Sequence, residues 1–139
     1  ARLDFALGSA NVSVSGGGNA DNEIAANFAI GSAKVGFGYS DDNLFAGAQP
    51  TTWANVSFDA GSATAGLRYA TNNTGNGYIA WVNYSMGSGS VYAYGGNSFG
   101  SNEFGLSYAV PLGGGVTAKV AVWSTGGTTM ASAGAQFNF

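Results

Sequence analysis

The sequence predicts an all-β fold, a transmembrane antiparallel up-and-down β-barrel. Three observations predict it: apolar and polar residues alternate strand after strand, strand charges collect on one face, and Gly-Ser steps punctuate the chain at regular intervals. The C-terminal stretch sets the pattern, with Ala131, Ala133, Ala135, Phe137 and Phe139 alternating with Ser132, Gly134, Gln136 and Asn138. A soluble sandwich strand can alternate in the same way, so the weight of the prediction falls on repetition along the chain.

Composition bounds the possibilities. The 139 residues correspond to one domain, residues 1–139, and 24 Gly against 2 Pro argue for many short strands joined by turns. Charged residues make up 8% of the chain, against about 25% in an ordinary soluble domain, so too few polar groups are present to wet an entire exterior. Without Cys or His, the usual ligand sets for zinc, haem and iron–sulfur clusters are missing. A Ser nucleophile would need a Lys or carboxylate base, yet the few Lys and acids lie on separate strands; no enzyme is predicted. Nucleic acid is an unsuitable partner, since the net charge is −3, the pI is about 4.3 and only four basic residues occur, scattered along the chain. No run approaches the length of a membrane helix, whereas a barrel strand needs only a half-apolar stretch of about ten residues.

The elements follow from the turns. Gly8-Ser9, Gly31-Ser32, Gly61-Ser62 and Gly87-Ser88, with Gly113-Gly114-Gly115 as a fifth, mark tight hairpins, and the text around them repeats: Phe28-Ala29-Ile30-Gly31-Ser32-Ala33 resembles Phe58-Asp59-Ala60-Gly61-Ser62-Ala63. Polar segments at 16–21, 41–50, 71–76, 96–102 and 125–129 read as longer surface loops, so that short turns gather at one rim and long loops at the other. Eleven strands lie between them, at 2–7, 10–15, 22–30, 33–40, 52–60, 62–70, 77–86, 89–95, 103–110, 116–124 and 130–139. Reading 2–15 as one strand gives ten.

One face of these strands carries residues such as Leu3, Phe5, Val14, Ile24, Phe37, Val56, Leu67, Val82, Leu106 and Val120, and no charge. The other face holds Arg2, Asp4, Glu23, Lys34, Asp59, Arg68, Glu103 and Lys119, eight of the eleven charges. A one-residue slip reverses the faces of a strand, so this segregation is a demanding pattern. On the apolar face Phe5, Phe28, Phe58, Tyr84, Tyr108, Phe137 and Phe139 fall toward the short-turn rim, and Tyr39, Tyr69, Tyr78 and Phe104 toward the other, as two interfacial belts would require.

These features carry a resemblance. The Gly-Ser hairpins followed by Val-x-x-x-Tyr, the segment Tyr108-Ala109-Val110-Pro111-Leu112-Gly113-Gly114-Gly115 and the ending Ala133-Gly134-Ala135-Gln136-Phe137-Asn138-Phe139 look like the general outer-membrane porins of purple photosynthetic and related alphaproteobacteria, the Rhodobacter type. The resemblance implies a sixteen-stranded homotrimeric barrel in the bacterial outer membrane, in contact with lipid and lipopolysaccharide and passing small hydrophilic solutes and ions. It also implies that Phe139, with Phe137 beside it, belongs to the signal read by the barrel-assembly machinery. A sixteen-stranded barrel needs about twice this length, so the chain reads as the C-terminal portion of a longer porin; a small barrel of ten to twelve strands is the alternative.

Several residues are candidates for function. Lys34, Arg68 and Lys119, with Glu23, Asp59 and Glu103, are placed along a pore wall, either shaping ion passage or only hydrating a polar lumen. Trp53, Trp81 and Trp123 turn away from lipid; with Asn55 and Ser57, and with Asn83 and Ser85, they read as a solute-stacking track or as packing under an inward loop. Asp41 and Asp42 are a weak candidate for Ca²⁺ through oxygen ligands, with a solvated loop as the default. No other cofactor is expected. Two rival functions remain open: a small plugged barrel with a structural or adhesive role, and a secreted β-rich assembly protein.

Overall fold

A computed structural model of the chain describes residues 2–17, 20–41 and 50–137. It contains eleven β-strands in one antiparallel sheet: β1 (Arg2–Leu7), β2 (Ala10–Gly17), β3 (Ala20–Ile30), β4 (Ala33–Ser40), β5 (Thr51–Ala60), β6 (Ala63–Asn72), β7 (Gly75–Met86), β8 (Gly89–Ser98), β9 (Ser101–Gly113), β10 (Val116–Thr125) and β11 (Thr128–Phe137). Their spatial order is their sequence order, so every strand pairs only with its neighbours in the chain. β1 and β2 are separate strands joined at Gly8-Ser9, which excludes the ten-strand reading of this stretch. β1 and β11 do not pair with each other among the described residues; the sheet is open at both edges.

At one rim the four Gly-Ser steps are two-residue turns. Their glycines take φ between +59° and +63° while the serines stay at negative φ, the pattern of a type II′ hairpin turn, whose twist matches that of the flanking strands. An aromatic residue stands three positions before each of these glycines: Phe5, Phe28, Phe58 and Tyr84. The rim is thus ringed by aromatics on the apolar face at a constant distance from the turns.

The opposite rim differs from the expectation of long loops. Segments 71–76, 96–102 and 125–129 are not loops: the strand ladder continues through Thr71↔Asn76, Asn97↔Asn102 and Thr125↔Thr128, and closes in two-residue turns at Asn73-Thr74, Phe99-Gly100 and Gly126-Gly127. β2 and β3 likewise extend into 16–21, to Gly17 and from Ala20. Asn, Ser and Thr read as loop formers when the neighbouring strand is ignored; where their backbone groups find partners across a hairpin, the strand simply runs past its apolar stretch. Segment 42–49 lies outside the described residues, between β4 and β5.

The pairings confirm a strict division of faces. One row of partners runs Phe28–Val35–Val56–Leu67–Ala80, and others join Phe37–Ala54–Tyr69–Tyr78 and Leu106–Val122–Ala131. The sheet has no core on this face or on the other. Among the described residues Ala25 is the single buried apolar residue and no large side chain is fully buried, while Leu3 (70% exposed), Ile30 (69%) and Leu67 (45%) are exposed on the apolar face. A soluble domain of this size would bury such residues to offset the entropy of folding; a wall one strand thick can do so only by meeting an apolar medium.

Candidate functional site

The face opposite the apolar one is the candidate site. Its rows of cross-strand partners bring residues far apart in sequence onto one surface. Arg2–Ser15–Glu23–Ser40–Thr51 runs along the Asn73 rim, Asp4–Ser13–Ala25–Gly38–Trp53–Ala70–Gly77 lies one step inward, and Asn11–Asn27–Gly36–Asn55–Arg68–Ile79–Gly96–Glu103 lies two. Next comes Lys34–Ser57–Gly66–Trp81–Tyr94–Gly105–Trp123–Met130. All eight strand charges predicted for this face stand on it, as do Trp53, Trp81 and Trp123.

Four of these charges form two ion pairs along the wall. Lys34 Nζ lies 3.3 Å from Asp59 Oδ2, and Asp59 Oδ1 also accepts from the Thr64 hydroxyl at 2.7 Å. Arg2 and Asp4 form a contact of 2.9 Å on the same strand, and Lys119 Nζ donates to Gln136 Oε1 at 2.7 Å. Arg68 sits with its guanidinium carbon 5.4 Å from the centre of the Trp53 ring, a cation–π arrangement that holds the charge flat against the wall. Exposed pairs of this kind add at most about 1 kcal/mol each to stability, so their presence on one face is a matter of solvation.

Glycines shape the surface beneath the aromatics. A Cβ on Gly38 would lie 2.6 Å from Trp53 Cζ2, and one on Gly66 would lie 2.6 Å from Trp81 Cε2 and Cζ2. Tyr94 covers Gly105 in the same way, and Asn27 and Asn55 converge over Gly36. The rings therefore lie along the wall on bare backbone. Tyr92 and Tyr94 escaped the sequence reading. Counting outward from the Gly87-Ser88 turn pairs Trp81 with Tyr94 and Asn83 with Tyr92, a signal sufficient to find both.

Near the rim, Thr51, Arg68, Ala70, Gly77, Ile79 and Phe99 line a shallow hollow of about 220 Å³. Backbone crowds this corner: a Cβ on Gly77 would meet the Asn97 carbonyl oxygen at 2.9 Å and the Phe99 nitrogen at 3.1 Å. Phe99 itself holds φ +48°, a conformation rare outside Gly, Asn and Asp. Asp41 accepts from Asn22, through Oδ1 from the backbone N–H at 2.7 Å and through Oδ2 from the side-chain amide at 2.6 Å, so its carboxylate braces β3 against the end of β4. Asp42 lies outside the described residues. Phe137 stands on the apolar face opposite Val116, and Phe139 lies outside the described residues.

With the wall and its two faces defined, solved structures of the same shape can be set beside it. An engineered variant of the porin of Rhodopseudomonas blastica superposes with TM-score 0.80 at 18% identity, covering 99% of this chain and 54% of its own. The fold is that of a porin wall. A second variant of the same porin gives 0.80 at 19% identity with the same coverage, and the KdgM porin gives 0.59 at 11% identity, covering 99% of this chain and 89% of its own. The chain thus spans about half the length of the blastica porin. It matches no protein-family model and no curated protein. In a membrane barrel the apolar side of every strand faces lipid and the polar side faces the lumen.

Proposed function

We propose that this chain forms part of the wall of an outer-membrane β-barrel channel through which small hydrophilic solutes and ions diffuse passively. The observation that carries the reading is the division of a coreless sheet into an exposed apolar face and a face bearing Arg2, Asp4, Glu23, Lys34, Asp59, Arg68, Glu103 and Lys119, eight of the eleven charges. Lys34, Arg68, Lys119, Glu23, Asp59 and Glu103 then line the lumen. Both signs are interspersed along the wall, with Lys34 neutralised by Asp59 and Arg68 laid on Trp53, which favours a hydrated path with weak ion preference over a strong selectivity filter.

The open edges bear on assembly. β11 has β10 as its one neighbour among the described residues, so its outer edge runs without a partner strand, and in lipid each backbone group left unsatisfied along such an edge costs several kcal/mol. Closure by further strands removes that cost. We take those strands to come from the remainder of a longer porin chain, with trimer contacts, lipopolysaccharide and the assembly machinery, reading Phe137 and Phe139, as its partners. A second reading is a small plugged barrel, favoured by the bulk of five aromatic side chains on the inward face.

Single-channel conductance of the natively extracted protein in a planar bilayer, with the intact mass of the same sample, tests the proposal. Stepwise openings support the channel, and a mass near twice 13.9 kDa supports the longer chain. Silent membranes from folded, heat-modifiable protein refute the channel and leave the plugged barrel.

A further inference from the structure

Among the described residues, the five aromatic side chains on the charged face fall into two groups. Trp53 is capped by Arg68. Trp81, Tyr92 and Tyr94 instead form a continuous surface, with ring centroids 6.3 Å apart between Trp81 and Tyr92 and 5.9 Å apart between Tyr92 and Tyr94, and mutual tilts of only 33° and 36°. Trp81 rests on Gly66 and Tyr94 on Gly105, so each has one ring face against backbone and the other turned to the polar side of the sheet. Trp123 continues the same row two strands on. From β7 to β10 the row extends about 14 Å across the wall. With strands tilted by 35–45°, it climbs about 9 Å along a pore axis. Hydrogen-bonding groups border it: Asn83 stands opposite Tyr92 on one side, Ser107 on the other, and Thr64 beyond Asn83.

We propose that this aromatic shelf binds the pyranose rings of oligosaccharides moving along the polar face, an inference that rests on that face lining a channel. A pyranose presents a flat patch of C–H groups with hydroxyls around its rim. An aromatic ring laid along a wall takes the patch, and neighbouring amides and hydroxyls take the rim. Ring-to-ring spacings near 6 Å within the Trp81, Tyr92 and Tyr94 cluster are close to the length of one sugar unit, so two neighbouring units rest on neighbouring rings there. The shelf residues carry no charge, which favours a sugar over an ion, and the polar border favours it over a purely apolar solute. Trp53 falls outside the shelf, because Arg68 occupies its ring.

Maltohexaose added to single open channels of the natively extracted protein tests the shelf. Interruptions of current whose frequency rises with sugar concentration are expected. Trp81→Ala raises the half-blocking concentration about tenfold, while Trp81→Phe, which keeps a ring, stays within about threefold. Heat-modifiable mobility reports whether each variant folds; where Trp81→Ala does not, Tyr94→Ala carries the same expectation. Channels that conduct and are never interrupted by sugar, or whose block is unchanged by the folded alanine variant, overturn the shelf and leave the channel standing. Silent membranes overturn the channel reading, and the shelf with it.

Discussion

Leu67→Arg is the substitution that most directly probes the assignment of faces. β6 has ten residues, Ala63–Asn72, and nine steps of about 3.4 Å at a tilt near 40° rise about 23 Å, close to the height of the apolar band of a membrane barrel. Leu67 is four steps from the Gly-Ser end and so lies about 10 Å into that band, within about 2 Å of its midplane. It is 45% exposed on the apolar face, with no protein layer above it. An Arg at the midplane on a lipid-facing position costs about 2–4 kcal/mol, and the central depth of Leu67 selects the upper half of that range. Ser57→Arg places the same side chain on the opposite face, beside Lys34 and across from Gly66, and should cost less than about 1 kcal/mol. Guanidinium unfolding of the protein in phospholipid vesicles, followed by tryptophan fluorescence, measures both. A difference of about 3 kcal/mol is a factor of more than 100 in the unfolding constant. Equal penalties at the two sites, or a larger one at Ser57, would refute the claim that the sheet at β5 and β6 shows one side to lipid and the other to water.

Three further outcomes are expected. Gly66→Ala forces its new methyl into the space held by Trp81, 2.6 Å from ring atoms, and should destabilise by about 1–3 kcal/mol while red-shifting the tryptophan emission as the indole lifts from the wall. Gly31→Ala, at φ +60° with open space around it, isolates the conformational cost of a turn and should lose about 1–2 kcal/mol in the same unfolding assay, with folded spectra unchanged. Phe99→Asn replaces an aromatic residue at φ +48° with one that tolerates that conformation; stability should hold or rise by up to about 1 kcal/mol, and a loss beyond that would mean that the ring contributes more to the rim hollow than its backbone strain removes.

Much of this architecture is legible in the sequence because a sheet one strand thick imposes a period of two without interruption. Leu3-Asp4-Phe5 and Leu67-Arg68-Tyr69 each declare both faces within three residues. Gly-Ser steps are equally transparent, since glycine at the first turn position is what a type II′ hairpin demands. The opposite rim is opaque for a physical reason: Asn72-Asn73-Thr74-Gly75 has the composition of a loop, and only the register with the neighbouring strand shows that its flanks are paired. The same holds for the aromatic shelf. Trp81 and Tyr94 are separated by a hairpin, and the glycines beneath them, Gly66 and Gly105, lie on two further strands. Such a surface exists only once the register is set.

The strict sequential order of the strands has a consequence for how such a wall varies. Every contact between elements joins neighbours in the chain, so each hairpin is held by the one before it and holds the one after, much as repeats are in a solenoid. Inserting or deleting one hairpin breaks no distant contact, and it alters the circumference by two strand widths, about 10 Å. Bore is therefore a heritable quantity that can change in whole-hairpin increments, while the chemistry painted on each strand stays as it was.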